Sequence, residues 1–438
     1  MIGKTSPSAP YVRKLMLDPL PPPAKASGVS LWLREKLFSS WGNAFLTVIG
    51  IGLIWLLVSH FAPWFLHGVW NADSLAACRK TIAATWGEGA SGACWAVIRA
   101  RWNQFIFGFY PAEIYWRPVL TFVLFLLALA PVLFSQLPRK LLWGSLVYPL
   151  VAIWLLWGGS VWPVAMIGVG FVIGAVLWRV LVGKNAILAA LAAIVVPVLF
   201  WLFLTGPIDD LLGKVLPISI QSVPSRQFGG FLLAIVLGAG GIVMSLPLGI
   251  VLALGRQSDM FLVKMFSIGF IEFVRGVPLI ALLFVASLLL NYFLPPGTNF
   301  DIILRVMILV TLFSAAYIAE VIRGGLAALP RGQYEAADAL GLDYWKAQRL
   351  IVLPQALKIS IPGIVSSFIA MFKDTTLVTF VGLFEPLKSI PDTIRADFAW
   401  KGIYWEFFVF VGAIFFIINF GMSRYSMYLE RKLKRDNR

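Results

Sequence analysis

Charged residues and histidines are scarce in this chain. Asp, Glu, Lys and Arg make up 13% of its 438 residues, histidine occurs twice, and 60% of the residues are apolar. Soluble domains carry about a quarter charged residues, so this balance excludes a soluble fold and predicts a polytopic membrane protein. A zinc site is a poor interpretation, because His60 and His67 are the only histidines and His60 lies within the first long apolar run.

The chain also lacks a nucleotide-binding loop. The pattern Gly-x-x-x-x-Gly-Lys-Ser/Thr supplies the amides, the lysine and the hydroxyl that hold a nucleotide and magnesium. Lys4 has no matching upstream glycine, and Lys184 is followed by Asn185 in place of the hydroxyl. We therefore expect no ATP hydrolysis by this chain alone, and we identify no catalytic residue, metal site or cofactor in it.

Positive charge is in excess, with 36 Lys and Arg against 21 Asp and Glu. The basic residues lie at the ends of apolar runs, which is typical of contact with lipid headgroups, so we expect a membrane and no nucleic acid as partner. Residues 1–43 are basic and proline-rich without core-forming periodicity, and we interpret them as a disordered cytoplasmic arm. The first apolar run begins only near Phe45, too far from Met1 for a cleaved signal.

Long apolar runs divide the chain into two halves of five predicted membrane spans each. A helix needs about 20 residues to cross the hydrocarbon layer, and it satisfies its own backbone there. We therefore predict an all-α polytopic membrane protein with about ten transmembrane helices, of which the accessory ones occupy residues 44–205. The predicted spans are at about 44–66, 118–136, 141–158, 161–182, 186–205, 228–254, 266–290, 303–323, 362–384 and 405–423.

The basic clusters between these spans fall on one side of the membrane. Positive residues favour the cytoplasm, so we predict that both termini, the basic tail 425–438 and the polar loop 324–361 are cytoplasmic. Residues 67–117 then form an external cap, although this segment is itself basic, and a loop of that length is near the limit at which the rule weakens. The basic residues of the cap are Arg79, Lys80, Arg99, Arg101 and Arg117.

The cap contains both cysteines of the chain, Cys78 and Cys94. An external location is oxidising and permits a disulfide that closes the intervening loop. Two free thiols are the alternative.

A polar interruption in the second half runs from Glu320 to Pro354, and its residues 332–354 have the pattern of two short helices joined by a glycine corner. Gly341 stands where a helix needs a left-handed last residue, and Asp343 is placed to cap the next helix. Pro354 is predicted to end that second helix, because proline removes a backbone donor. Such a knob between two spans fits a groove of a partner, and we call it the docking segment. An ordinary amphipathic loop helix is the alternative.

The docking segment also carries seven residues at fixed spacing: E-A-A, three residues, G, nine residues and I-x-L-P. This spacing resembles the EAA signature of importer-type ABC permeases, whose corresponding loop is a coupling helix. The matching residues are Glu335, Ala336, Ala337, Gly341, Ile351, Leu353 and Pro354.

Longer stretches extend the resemblance. SLPLGIVLALGRQS, FIEFVRGVPLIALLF and LPQALKISIPGIVSSFIAMFKDTTLV are similar to the polar amino acid permeases, which handle histidine, glutamate, glutamine, arginine and opines. The whole chain resembles the general L-amino acid permease subunits of that family. The resemblance implies a five-helix type I importer core over residues 221–424 with a cytoplasmic coupling helix.

The resemblance also implies function and partners. The chain is expected to be a permease subunit of an ATP-driven importer for L-amino acids in a bacterial inner membrane. Its implied partners are an ABC ATPase dimer that binds ATP and magnesium, a second permease subunit and a periplasmic amino-acid-binding protein. An ion-coupled secondary transporter is the alternative, and the absence of matching inverted halves disfavours it.

Two carboxylates within predicted spans are candidates for substrate contact, because a charge there is costly and usually functional. Asp374, with Thr375 and Thr376, is a candidate partner for a substrate ammonium group. Structural pairing of Asp374, and hydroxyl bonds of the threonines back to their own helix, are the alternatives. Glu320 precedes Arg323 by three residues, so an ion pair that anchors the helix end is its alternative role.

A second charged pair is expected in FIEFVRGVP. Glu272 and Arg275 are interpreted as an ion pair at the cytoplasmic end of their span. Gly276 and Pro278 predict a break there, which is either a gate hinge or a plain kink.

Overall fold

The computed structural model describes residues 28–134, 136–293 and 301–435. Within these residues the chain forms eighteen α-helices and one two-stranded sheet. The helices are α1 (Val29–Lys36), α2 (Trp41–Leu66), α3 (Leu75–Trp86), α4 (Ala96–Phe107), α5 (Trp116–Leu133), α6 (Leu142–Trp157), α7 (Val161–Leu181), α8 (Ala186–Phe203), α9 (Thr205–Val215), α10 (Gly230–Gln257), α11 (Phe261–Gly276), α12 (Leu279–Phe293), α13 (Ile302–Ala327), α14 (Gly332–Ala339), α15 (Tyr344–Ala347), α16 (Leu353–Asp374), α17 (Pro386–Ala396) and α18 (Trp405–Arg435).

The predicted arm differs from the structure at its end. Residues 1–27 lie outside the described residues, whereas Val29–Lys36 form α1 and α2 already begins at Trp41. Disorder is therefore the wrong prediction for α1. The side chain of Ser40 accepts a hydrogen bond from the backbone N–H of Asn43 and so caps α2. This helix begins at Trp41, three residues before the predicted start of the first span.

Among the described residues, eight helices are long and apolar enough to cross a membrane, and the number is ten if each of two bent pairs counts as one span. One bent pair is α8 with α9, at 54°. The other is α11 with α12, at 101°, and its break at Val277 and Pro278 coincides with the predicted kink. We call this break the elbow.

Three helices, α10, α13 and α16, make the packed centre of the core. Glycines allow their close approach: a Cβ on Gly238 of α10 would lie 2.6 Å from the ring of Phe372, and one on Gly249 would lie 2.6 Å from Ile318. Small residues at helix contacts are the usual way to bring membrane helices together. Val310, buried on α13, belongs to the cluster of apolar side chains between these helices.

The chain divides into two compact units. The first consists of the residues up to Val69 together with Cys78–Cys94, and the second of Trp70–Ala77 together with the residues from Trp95 onward. In the first unit no described residue of α2 is buried. Cys78 and Cys94 of this unit are joined by a disulfide, with their Cα atoms 6.1 Å apart. The structure thus has the bonded form of the two alternatives.

In the second unit, a buried arginine ties the accessory helices to the core. Arg117, at the start of α5, is 1% exposed. Its guanidinium donates hydrogen bonds to the carbonyl oxygens of Leu155 and, at 2.7 Å, of Gln221. Strands β1 (Gly159–Ser160) and β2 (Ser219–Ile220) pair antiparallel beside it. We call this arrangement the arginine knot.

Helix α4 covers the start of α10 at the same end. Gly108, directly after α4, forms an antiparallel β-bridge with Phe228, and Gly229 forms a parallel β-bridge with Phe384. Arg101 of α4 forms an ion pair with Asp397, which follows α17. Two of the five basic residues of the predicted cap therefore have partners within the protein, Arg101 a carboxylate and Arg117 carbonyl oxygens.

Candidate functional site

The docking segment folds as two short helices and a glycine corner, α14 and α15 with Gly341 between them. Gly341 has φ +65°, the left-handed conformation that glycine adopts without strain. The Asp343 side chain accepts a hydrogen bond from the Lys346 backbone at 2.9 Å and caps α15. The predicted role of Pro354 is wrong: α15 ends at Ala347, a π-helical turn follows, and Pro354 lies in the first turn of α16, where its missing N–H is not needed.

The signature residues have different surroundings. Ala337 is buried and packs inward, whereas Glu335 and Ala336 are exposed on α14. Ile351, in the π-helical turn, and Leu353, at the start of α16, are half-buried. The seven positions therefore combine an inward anchor with an outward face.

Large apolar side chains are exposed on the docking segment, both before and after Gly341. Leu340 is 72% exposed and Trp345 is 69% exposed, which leaves an apolar patch on a polar segment. Exposed patches of this kind mark interaction sites. The spacing of the signature did not identify them, although apolar residues within a polar interruption are a usable signal. The patch also includes Tyr344 and Leu350.

The docking segment is attached to both flanking spans. Gln355 of α16 donates a hydrogen bond to Gln333 of α14 at 2.8 Å. Tyr334 packs against the apolar cluster that contains Leu329 and Val352. The segment is therefore in direct contact with the helices on both sides of it.

Five charged residues meet where α10, α11 and α13 approach the docking segment, and we call this the docking end of the core. Glu320 Oε1 accepts hydrogen bonds from Arg323 at 2.6 and 2.9 Å, and Glu320 Oε2 lies 3.4 Å from Arg256 and 3.8 Å from Arg275. Glu272 pairs with Arg256 at 2.8 Å, so the predicted pair of Glu272 with Arg275 is wrong. We call these residues the ionic cluster.

The ionic cluster bears on the two roles considered for Glu320. Its carboxylate faces three arginines, and one of them, Arg323, is the expected i,i+3 partner. Arg256 and Arg275 come from other helices, so neighbours distant in sequence complete the site.

The candidate substrate residues lie around the opposite end of α16. Asp374 is the last residue of α16, nearer to its end than the sequence suggested, and its carboxylate is half-buried. Thr375 and Thr376 donate hydrogen bonds to carbonyl oxygens of Phe372 and Lys373, so their hydroxyls bond back to their own chain segment. Of the three, Asp374 keeps the greatest capacity to meet a cationic group.

Long apolar spans and exposed apolar side chains on the polar segment between two of them define a polytopic membrane protein with a candidate docking surface. Residues 245–435 match the family described as binding-protein-dependent transport system inner membrane component. The chain is 65% identical to the glutamate/glutamine/aspartate/asparagine transport system permease protein BztC of Rhodobacter capsulatus, over 98% of this chain and 99% of that protein. It is 38% identical to the inner membrane amino-acid ABC transporter permease protein YhdY of Escherichia coli, over 96% and 97% of the two chains.

A solved structure is also similar. A crystal structure of an amino acid ABC transporter with histidines shares 28% identity, covers 46% of this chain and 91% of that chain, and has a TM-score of 0.41. Because its identity to BztC and YhdY extends over nearly the whole of both chains, the chain belongs to the family of amino acid ABC transporter permeases. It is the permease subunit of an amino acid importer, and the secondary-transporter alternative is set aside.

Proposed function

We propose that the docking segment seats in a separate ATPase dimer and carries its movement into α13 and α16. The exposed face of α14 and α15 beside the buried anchor Ala337 is the observation that supports this role. Glu335, in the first turn of α14, is favoured by the helix dipole and is free to meet an arginine of the ATPase.

The proposed orientation places both termini and the docking segment in the cytoplasm of a bacterial inner membrane. Basic clusters at the docking end support it, because positive residues favour that side. The ion pair of Arg101 and the buried hydrogen bonds of Arg117 support it as well, since two of the five basic residues of the cap have partners within the protein.

The proposed cargo is a small polar amino acid of the glutamate and glutamine class, delivered by a periplasmic binding protein to this chain and a second permease subunit. The substrates in the name of BztC, which are glutamate, glutamine, aspartate and asparagine, support this class. Asp374 is the proposed partner for the ammonium group that all such substrates share, with Thr375 and Thr376 at the same place.

Two substitutions test the docking role. Glu335→Lys reverses the exposed charge, and Gly341→Asp strains the left-handed corner, so both are expected to abolish uptake and to reduce co-purification of the ATPase while membrane insertion persists. Asp210→Lys makes the same charge change at an exposed position of α9 and is expected to leave uptake intact. ATPase that co-purifies with Glu335→Lys at normal yield would contradict the docking role.

A further inference from the structure

The ionic cluster contains two polar atoms whose hydrogen bonds are not made. Glu320 Oε2 and Arg275 Nε are both buried and have no hydrogen-bond partner among the residues that the structure describes. Glu320 Oε2 and Arg275 Nη1 are 3.8 Å apart, which is an ion-pair distance and too long for a hydrogen bond. Buried polar atoms without partners cost free energy, so this contact is incomplete in the present state.

The incomplete contact lies between the docking segment and the elbow. Glu320 is on α13, which ends at Ala327 and leads directly into α14. Arg275 is in the last turn of α11, immediately before the elbow, and its guanidinium lies 5.6 Å from the centre of the Tyr317 ring on α13. A shift of α13 past α11 therefore changes the distance between Glu320 and Arg275.

The other partners of Glu320 differ in what a shift does to them. Arg323 is on α13 together with Glu320, so the two residues move together and their ion pair transmits no movement from one helix to another. Arg256 of α10 is already bonded to Glu272 of α11 at 2.8 Å, which joins these two helices to each other. Arg275 is the partner positioned to respond when α13 moves.

We propose that Glu320 passes the movement of the docking segment to the elbow between α11 and α12 by closing its contact with Arg275 in another state of the transport cycle. The inference rests on the docking role proposed for residues 332–354. Glu320 acts here as a positioning residue, through Arg275, and contacts no substrate. The 101° bend is then a gate hinge that the ionic cluster moves, in preference to a plain kink.

The test compares two arginine variants in the complete transporter, reconstituted with its ATPase, second permease subunit and binding protein in proteoliposomes. The measured quantity is glutamate taken up per ATP hydrolysed. Glu320→Gln and Arg275→Gln are each expected to lower this ratio about tenfold, within the range of coupling between sites, whereas Arg323→Gln stays within about twofold of wild type. The double variant with both Glu320→Gln and Arg275→Gln is expected to equal the single variants.

If the ion pairs of Glu320 only stabilised the fold, Arg323→Gln would lower the ratio more than Arg275→Gln, because Arg323 makes the shortest contact with Glu320, at 2.6 Å. A loss for Arg323→Gln as large as that for Arg275→Gln overturns the proposal, as does a double variant whose loss is the product of the single losses. Each variant is also checked for ATPase co-purification, and loss of assembly in both Glu320→Gln and Arg275→Gln overturns it too. Failure of the docking role is recognised separately, from normal ATPase yield with Glu335→Lys.

Discussion

Glu385 is a buried carboxylate with an unusual protonation equilibrium. It is fully buried directly before α17, and it accepts hydrogen bonds from the backbone N–H groups of Leu387 at 2.8 Å and Lys388 at 2.6 Å. Burial raises the pKa of Glu385 from its ordinary 4.5 to about 7, even though both N–H donors and the Lys388 charge act to lower it. Proton binding at this residue is therefore linked to the stability of the fold.

The direction of the linkage follows from the two pKa values. Between about pH 4.5 and pH 7 the folded protein holds a proton on Glu385 that the unfolded chain has released, so stability falls as pH rises through this window. The stabilisation that this proton gives to the folded protein is fully present below about pH 4.5 and is lost above about pH 7. The difference corresponds to roughly 3 kcal/mol, at about 1.4 kcal/mol per pH unit. Glu385→Gln carries no charge, so it removes this dependence; its amide keeps one of the two oxygens that accept from the α17 backbone.

Thermal unfolding of the purified full chain at several pH values measures the effect. The unfolding midpoint of the wild type is expected to fall between pH 4.5 and pH 8 relative to Glu385→Gln, which should be the more stable of the two at the upper end. Asp392→Asn, on the exposed side of α17 beside Arg395, serves as the matched control and should follow the wild type. Parallel curves for wild type and Glu385→Gln would refute the reasoning.

Three further predictions concern other parts of the chain. Arg117→Met removes two charge-assisted hydrogen bonds, so the free energy of unfolding is expected to fall by about 3–6 kcal/mol, whereas Arg99→Gln changes it little; equal melting curves would contradict this. Trp345→Ala, at an exposed position, is expected to leave the melting temperature unchanged but to lower ATPase co-purification; a normal yield would exclude Trp345 from the docking surface. Cys78→Ser opens the disulfide loop, with an expected loss of about 3 kcal/mol seen as faster proteolysis of residues 67–94; unchanged proteolysis would show that the bond is not needed for stability.

Local patterns in the sequence predicted the parts of this fold that local physics decides. The apolar runs located the membrane helices because each span must satisfy its own backbone. Gly341 and Asp343 were read correctly because a left-handed corner and a helix cap depend on neighbouring residues only. The prediction that Pro354 ends a helix is wrong. Proline is found both just after a helix and in the first turn of the next one, and the local sequence does not distinguish these two positions.

Pairing between distant segments was beyond the sequence. Glu320 was assigned one partner within its helix, whereas Arg256 and Arg275 reach it from two other helices. Arg256 has an acidic residue, Asp259, three positions further along the chain, yet its partners in the fold are Glu272 and Glu320. The same limit applies to Arg101, whose partner Asp397 follows α17 near the start of the last span.

The two ends of the core are held together by different chemistry. At the end away from the docking segment, the guanidinium of the arginine knot satisfies two backbone carbonyls, although its Nη2 has no hydrogen-bond partner among the described residues, and the β-bridges of Gly108 and Gly229 fix the start of α10. At the docking end, the contacts of Glu320 between helices are ion pairs of 3.4 and 3.8 Å with unsatisfied atoms. Breaking the first kind leaves carbonyls without donors in a buried place, whereas adjusting the second costs less, because these ion pairs are longer and their side chains are partly exposed. Movement during transport should therefore concentrate at the docking end and pivot about the opposite one.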